Sequence, residues 1–170
     1  MTYGSFLGVP GAEWHAALND FPVVLILASV AFDLWGAAKK RDSLGWAAYW
    51  CLGAGAATSI LAVVSGLLIE DGIEKTPDVS RLTESHETLG LSLGALFIAL
   101  ATWRVWRKNA FSAAERQSYI MAAAVGALAL VWQSHLGGTM VYRHAAGIPS
   151  AVLQTELRSR ADTTRQAKER

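Results

Sequence analysis

Four long apolar stretches, separated by short polar segments, dominate the chain. They run from about residue 19 to 38, 44 to 69, 87 to 106 and 119 to 140. Each stretch is close to the roughly 20 residues that a helix needs to cross the hydrocarbon core of a bilayer. The stretches are rich in Ala, Leu and Gly and lack the alternation of apolar and polar residues that is typical of strands. The pattern therefore predicts an all-α integral membrane protein, a bundle of four transmembrane helices.

Polar segments mark the limits of this bundle. Residues 70–84 are rich in charge and contain Pro77, so we expect them outside the lipid. The sequence after Pro149 is also polar and carries charges of both signs. We expect a four-helix transmembrane domain over residues 1–150 and a polar C-terminal tail over residues 151–170. The tail forms either a surface helix or a disordered end.

The charges of the loops predict an orientation. The basic residues of the first and third loops are Lys39, Lys40, Arg41, Arg104, Arg107, Lys108 and Arg116. The second loop is mainly acidic. Short loops rich in Lys and Arg stay in the cytoplasm. We therefore expect a multi-pass membrane protein whose first and third loops lie in the cytoplasm and whose two termini lie on the other side.

Composition agrees with a membrane protein and excludes other classes. Of the 170 residues, 52% are hydrophobic and 17% are charged, whereas soluble domains usually carry about a quarter charged residues. The net charge of +1 argues against a nucleic-acid partner, which would require a concentrated basic face. The single cysteine, Cys51, excludes an internal disulfide and a cysteine-rich zinc site. The first twelve residues contain no Lys or Arg, so no signal peptide is expected.

All four histidines are predicted at the outer end of the bundle. In chain order they are His15, His86, His135 and His144. A histidine in or near a membrane is costly unless it is paired or ligating, which makes it a functional candidate. Imidazole is a common metal ligand and a standard axial ligand of haem iron, so these four are candidate haem ligands. A second interpretation stays open, in which the histidines lie at the interface and bond to lipid headgroups or to Asp20, Glu84 or Glu87.

Residues near the histidines favour a flat cofactor. Gly90 follows His86 at helical spacing, and Gly137 lies close to His135, so a porphyrin edge could approach the helices at both points. Arg143 is a candidate partner for a haem propionate or a lipid phosphate, because its guanidinium binds such groups in bidentate fashion.

The spacing of two histidines limits how they pair. His135 and His144 are nine residues apart, so they point to opposite faces of an unbroken helix. They could share one site only if the glycines at 137 and 138 break the helix. Otherwise they belong to different sites, or one of them belongs to none.

Two acidic residues, Asp20 and Asp33, are predicted to have structural roles. Asp20 is predicted to cap the first span, with Pro22 in its first turn. Asp33 is predicted to pair with a basic residue of the first loop. For each acid, a role in proton or quinone chemistry is the less favoured alternative.

Two motifs carry a family resemblance. HAALNDFP, which starts at His15, leads into the first span, and LGGTMVYRHAAGI, which starts at Leu136, closes the fourth. They resemble the opening and closing motifs of the bacterial membrane family called domain of unknown function 2231, over nearly all of residues 12–150. His86 is similar to a further family histidine. The departures are Ala16 in place of Pro, Asn19 in place of a second His and Ala145 in place of Gly, with His135 either a replacement for the lost histidine or an addition.

The resemblance implies a cytochrome b-like function. It implies a subunit that binds one or two haem b groups, anchors a periplasmic dehydrogenase or c-type cytochrome, and passes electrons to ubiquinone. The iron ligands would come from His86, with His144 or His135, and His15. No bond-making catalysis is implied for this chain alone. The alternative is a cofactor-free structural anchor or assembly subunit of a larger complex.

Overall fold

The computed structural model of the protein describes residues 5–169, which form five α-helices and one short hairpin. The helices are α1 (Gly11–Lys39), α2 (Asp42–Ile69), α3 (Pro77–Trp106), α4 (Ala113–His144) and α5 (Ser150–Lys168). A 3₁₀ turn, Glu70–Gly72, follows α2, and strands β1 (Ser5–Phe6) and β2 (Val9–Pro10) pair antiparallel before α1. Short connections make α1 to α4 alternate in direction, and α4 also contacts α1, which closes the bundle.

The first four helices are each long and apolar enough to cross a membrane. Their outer faces expose large apolar side chains, among them Trp50, Leu68 and Leu128. Helices that are apolar on all sides belong in lipid, whereas a soluble bundle would keep a polar outer face. The predicted all-α bundle of four transmembrane helices is confirmed.

Two helices begin earlier than the apolar pattern predicts. Helix α1 starts at Gly11 rather than near residue 19, and α3 starts at Pro77 rather than near residue 87. Thr76 caps α3, because its Oγ1 accepts a hydrogen bond from the Val79 N–H at 3.3 Å. Pro77 fits the first turn, where its missing N–H costs no hydrogen bond. Hydropathy detects the part of a helix that lies in the hydrocarbon, so the polar turns outside it escape detection.

Asp20 does not cap the first helix. Because α1 begins at Gly11, Asp20 lies within it and is exposed, and Pro22 is buried in the helix interior. The predicted cap is therefore wrong. A proline inside a membrane-spanning helix is tolerated where neighbouring groups satisfy the carbonyl that loses its partner.

Helix α4 is unbroken through its two glycines. It begins with a capping box, in which Ser112 and Glu115 each bond the other's backbone N–H, and it continues past Gly137 and Gly138 to His144. The helix ends at Ala145, whose φ of 53° is left-handed. The condition under which His135 and His144 could share one site is therefore not met.

Small residues let the helices approach closely around an apolar core. The core residues are Ile26, Leu52, Leu93, Phe97, Leu100, Tyr119, Ala123 and Leu130. A Cβ added to Gly55 would lie 2.8 Å from Ile26 Cγ1, and one added to Gly126 would lie 2.8 Å from Leu96 Cδ2. Close backbone approach at small residues is the usual basis of helix association in lipid.

A buried ion pair joins α1 to α3 at the end of the bundle where α1 meets α2. Arg104 donates to Asp33 through two nitrogens, Nη1 to Oδ2 at 2.6 Å and Nη2 to Oδ1 at 2.8 Å. The Arg104 side chain is 3% exposed and that of Asp33 is 10% exposed. The predicted partner of Asp33, a basic residue of the first loop, is wrong, because Arg104 lies in the last turn of α3 and reaches Asp33 through the bundle interior.

The same guanidinium connects all four spanning helices. Arg104 also donates to Tyr119 Oη at 2.7 Å, to the Gly45 carbonyl at 2.8 Å and to Asn109 Oδ1 at 2.8 Å. The Tyr119 hydroxyl in turn donates to Asp33 at 3.1 Å. All five N–H groups of the guanidinium are therefore used within the protein, and we assign Arg104 to the structure of the bundle rather than to ligand binding.

Helix α5 is exposed along its whole described length. Its first residue, Ser150, donates its backbone N–H to Glu74 Oε1 at 3.2 Å. Of the two forms predicted for the tail, the structure has the surface helix. Arg170, also part of the predicted tail, lies outside the described residues.

Candidate site at the histidine end of the bundle

His15 of α1 and His86 of α3 lie close together inside the bundle. Their ring centres are 6.4 Å apart, and the ring planes are inclined by 80°. Both side chains are half-buried. They lie at the end of the bundle where α2 stops and α3 starts, opposite the end that holds Arg104.

The hydrogen bonds of His15 define its tautomer. The Ser65 hydroxyl donates to the Ala62 carbonyl at 2.8 Å. Its oxygen therefore accepts from His15 Nδ1–H, at a distance of 2.9 Å. On the other side of the ring, Asn19 Nδ2 donates to His15 Nε2 at 3.0 Å. A neutral imidazole carries one N–H, so the proton is on Nδ1 and the lone pair is on Nε2.

One residue of α4 defines the tautomer of His86 in the same way. The backbone carbonyl of Gln133 accepts from His86 Nδ1–H at 3.2 Å, and the side-chain amide of Gln133 donates to His86 Nε2 at 3.2 Å. Both histidines therefore have the proton on Nδ1 and the lone pair on Nε2. These partners differ from the acids and headgroups considered at the sequence level.

Glycines adjoin both rings and one of their partners. A Cβ added to Gly66 of α2 would lie 2.9 Å from His15 Cε1, and one added to Gly137 of α4 would lie 3.0 Å from His86 Cε1. A Cβ at Gly90 would lie 3.0 Å from the side-chain nitrogen of Gln133. The small residues predicted to admit a porphyrin edge thus make room for the imidazoles and the amide that surround the site.

We expect a Gly66→Ala variant to displace the His15 ring. The new Cβ would come closer to Cε1 than such contacts normally allow, and the ring is held by Ser65 and Asn19. At least one of these hydrogen bonds should break, at a cost of about 1 kcal/mol. Histidine ring resonances in ¹⁵N NMR spectra of the purified protein report the change.

Gly53→Ala is the matched control on the same helix, because a Cβ at Gly53 has no neighbour within 4 Å. It should leave the His15 resonances unchanged and gain up to about 1 kcal/mol of helix propensity. Unaltered His15 resonances in Gly66→Ala would contradict the close contact.

The two histidines line a cavity of about 520 Å³ that touches all four spanning helices. This volume is within the range of about 300–1,000 Å³ that small-molecule and cofactor sites occupy. Apolar residues such as Val63, Leu93 and Phe97 form much of the lining, together with Gly90, Gly94, Gly137 and Gly138. The few polar groups lie mainly toward the histidine end, which is the arrangement of a site for a largely apolar ligand.

Acidic residues lie on the rim of the cavity. Asp20, Glu70 and Glu87 contribute to its lining. Lys75 donates to Glu70 Oε1 at 2.8 Å, and this hydrogen bond raises the pKa of the Lys75 ammonium above its usual value. The charges at this end of the bundle are thus mainly negative.

The other predicted site residues lie away from the histidine pair. His135 is exposed on α4, where its ring lies 5.2 Å from that of Trp132. His144 and Arg143 are exposed in the last turn of α4 and are absent from the cavity lining. Asn19 contacts His15 directly, whereas the ring of His135 lies beside that of Trp132 on the outside of α4.

Three site residues were not identified from the sequence. Ser65 and Gln133 accept the imidazole protons, and Gly66 leaves room for the His15 ring. A polar residue within an apolar span is a signal that could have singled out Gln133, because such side chains usually face the bundle interior. Ser65 has no comparable signal, since a serine in such a helix can satisfy its hydroxyl on its own backbone.

Among residues 5–169, no group of three or more His, Cys, Asp or Glu side chains is placed to hold a metal ion. The cavity lining presents two histidine side chains, His15 and His86.

Comparison with curated proteins and with solved structures gave no match. A family model described as "Predicted membrane protein (DUF2231)" matches residues 11–150. The match covers all four spanning helices and both histidines of the site. The family resemblance seen in the two sequence motifs is thereby confirmed, and the chain belongs to the DUF2231 family of predicted membrane proteins.

Proposed function

We propose that this membrane protein binds haem b between His15 and His86 and transfers electrons as a subunit of a larger complex. The observation that carries the proposal is the pair of neutral imidazoles, 6.4 Å apart, on one cavity. Each has its Nδ1 proton engaged by the protein and its lone pair on Nε2.

The distance between the rings favours a single metal atom as their common partner. Two imidazoles that bind one metal from opposite sides, with metal–nitrogen distances of about 2.1 Å, have ring centres about 6 Å apart. A quinol lying between the rings, with a hydroxyl bonded to each, would need a much wider gap, because its ring and two hydrogen bonds of about 2.8 Å must fit. The observed 6.4 Å is compatible with a shared metal once the amides of Asn19 and Gln133 leave the two Nε2 atoms.

The ligand count favours haem over a bare ion. Two histidines leave most positions of a transition metal open, and a porphyrin supplies four more nitrogens in one plane. The cavity is also far larger than an ion requires, at about 520 Å³. Bundle cores of this kind commonly hold cofactors between side chains of facing helices.

The protein's own groups would orient the ligands and exclude water. Ligating histidines usually donate their other N–H to a carbonyl, carboxylate or water, which fixes the ring and raises its basicity. Here the Gln133 carbonyl and the Ser65 hydroxyl accept these protons. Residues such as Leu93 and Phe97 keep the lining apolar. A bound haem b would supply one-electron chemistry, and axial ligation and burial would set its potential.

The location and partners complete the proposal. The basic first and third loops support a location of the histidine end at the periplasmic face of a bacterial inner membrane. There the protein would anchor a periplasmic dehydrogenase or c-type cytochrome and pass electrons to ubiquinone. Its acidic rim is suited to a partner with a basic face.

Absorption spectra test the proposal. The protein, purified in detergent from cells supplied with a haem precursor, should show the bands of a low-spin b-type haem that sharpen on reduction with dithionite. A pyridine haemochrome assay gives the haem content per chain. A colourless protein that also fails to bind added haemin in a titration would refute haem binding.

A cofactor-free anchor is the alternative, and one observation favours it. The 19-residue helix α5 is exposed along its described length, as a partner-binding element would be. If the protein proves colourless, co-purification of a partner that depends on α5 would support this function.

A further inference from the structure

The Ser65 hydroxyl donates one hydrogen bond and accepts another. Its single proton goes to the Ala62 carbonyl one turn earlier in α2, at 2.8 Å. Its lone pairs remain for His15, whose Nδ1 lies 2.9 Å away. The hydroxyl is thus held as an acceptor.

The position of the proton on His15 also determines what its other ring nitrogen, Nε2, can do. With the proton on Nδ1, Nε2 keeps its lone pair and accepts from Asn19 at 3.0 Å. An asparagine side chain can either donate through its amide nitrogen or accept through its oxygen. Asn19 therefore tolerates both tautomers of His15, whereas Ser65, together with the Ala62 carbonyl beside it, favours the tautomer with the proton on Nδ1.

We propose that Ser65 is a positioning residue for the cofactor site, which keeps the ligating lone pair of His15 on Nε2. The choice of tautomer follows from the hydrogen bonds. Its consequence, a stronger metal ligand, rests on the proposed function. A hydrogen bond from Nδ1–H makes the imidazole more basic and favours the oxidised metal.

The two histidines that would hold the haem differ in how they are positioned. His86 donates to a backbone carbonyl of α4, which no side-chain substitution removes. His15 donates to the Ser65 side chain, with the Ala62 carbonyl as a second acceptor beside it, so one substitution removes the side-chain part of this interaction. The protein thus has an adjustable and a fixed ligand, and Ser65 sets the adjustable one.

A Ser65→Ala variant tests the inference, with Thr58→Ala as its matched control. Thr58 lies on the same helix but is absent from the cavity lining, and its hydroxyl bonds the Ala54 carbonyl at 2.9 Å much as Ser65 bonds Ala62. We expect Ser65→Ala to bind haem roughly ten-fold more weakly and to have a higher midpoint potential. Thr58→Ala should keep the wild-type affinity and potential, and so should Ser65→Thr, which retains the hydroxyl.

Nitrogen NMR of ¹⁵N-histidine-labelled protein without haem provides a second measurement. The wild-type and Thr58→Ala proteins should show His15 protonated on Nδ1, whereas Ser65→Ala should show a mixture of tautomers or the Nε2–H form. A Ser65→Ala protein with wild-type tautomer, affinity and potential would overturn the inference. If the wild-type protein binds no haem, the proposed function fails, and the NMR result alone decides whether Ser65 selects the tautomer.

Discussion

A His86→Ala variant is expected to lose the low-spin haem spectrum completely. In the proposed site His86 is one of two iron ligands, and the cavity lining offers no third imidazole to replace it. His15→Ala should have the same effect, because each histidine lies on a different helix and neither can substitute for the other. The measurement is the reduced absorption spectrum together with the haem content per chain.

The remaining two histidines are the controls. His135→Ala and His144→Ala should retain the wild-type spectrum and haem content, because both side chains are exposed on α4 away from the cavity. Helix content measured by circular dichroism should be equal in all four variants, which separates loss of a ligand from loss of the fold. Loss of the spectrum in His135→Ala, or its survival in His86→Ala, would refute the proposed ligand pair.

An Arg104→Ala variant is expected to lose about 3–5 kcal/mol of stability, the usual cost of breaking a buried ion pair. The substitution leaves Asp33 without its charged partner, in a position where its side chain is 10% exposed. It also removes the hydrogen bonds to Tyr119 and to the Gly45 carbonyl, and with them the link between all four spanning helices. Equilibrium unfolding in mixed detergent and sodium dodecyl sulfate measures the change.

Arg107→Ala is the control for loss of a basic residue at the same end. Its pair with Glu115 is substantially exposed, at 42% and 31%, so its removal should cost far less stability than Arg104→Ala does. The double variant Arg104→Met with Asp33→Leu should recover much of the loss, because replacing both partners removes the unpaired charge. An Arg104→Ala protein as stable as Arg107→Ala would show that the buried pair does not hold the bundle together.

The comparison of His15 with His135 shows how far the site could be predicted from sequence. Both are histidines at the outer end of a predicted span, and both are equally good candidates on that basis. In the folded bundle His15 points inward to Ser65, whereas His135 points outward beside Trp132. The difference arises from the rotation of each helix about its axis, which depends on close contacts such as that of Gly66 with the His15 ring.

The sequence by itself determined that this protein crosses a membrane four times and carries its histidines at one end. These properties depend on the length and hydropathy of continuous segments. Because placing polar groups in lipid is costly, each span can be recognised from its own residues alone. Only the tertiary structure decided that His15 meets His86, that Ser65 and Gln133 hold their protons, and that Asp33 pairs with Arg104. These contacts join residues that are 47 to 71 positions apart, and they depend on how four helices rotate and pack, which hydropathy does not specify.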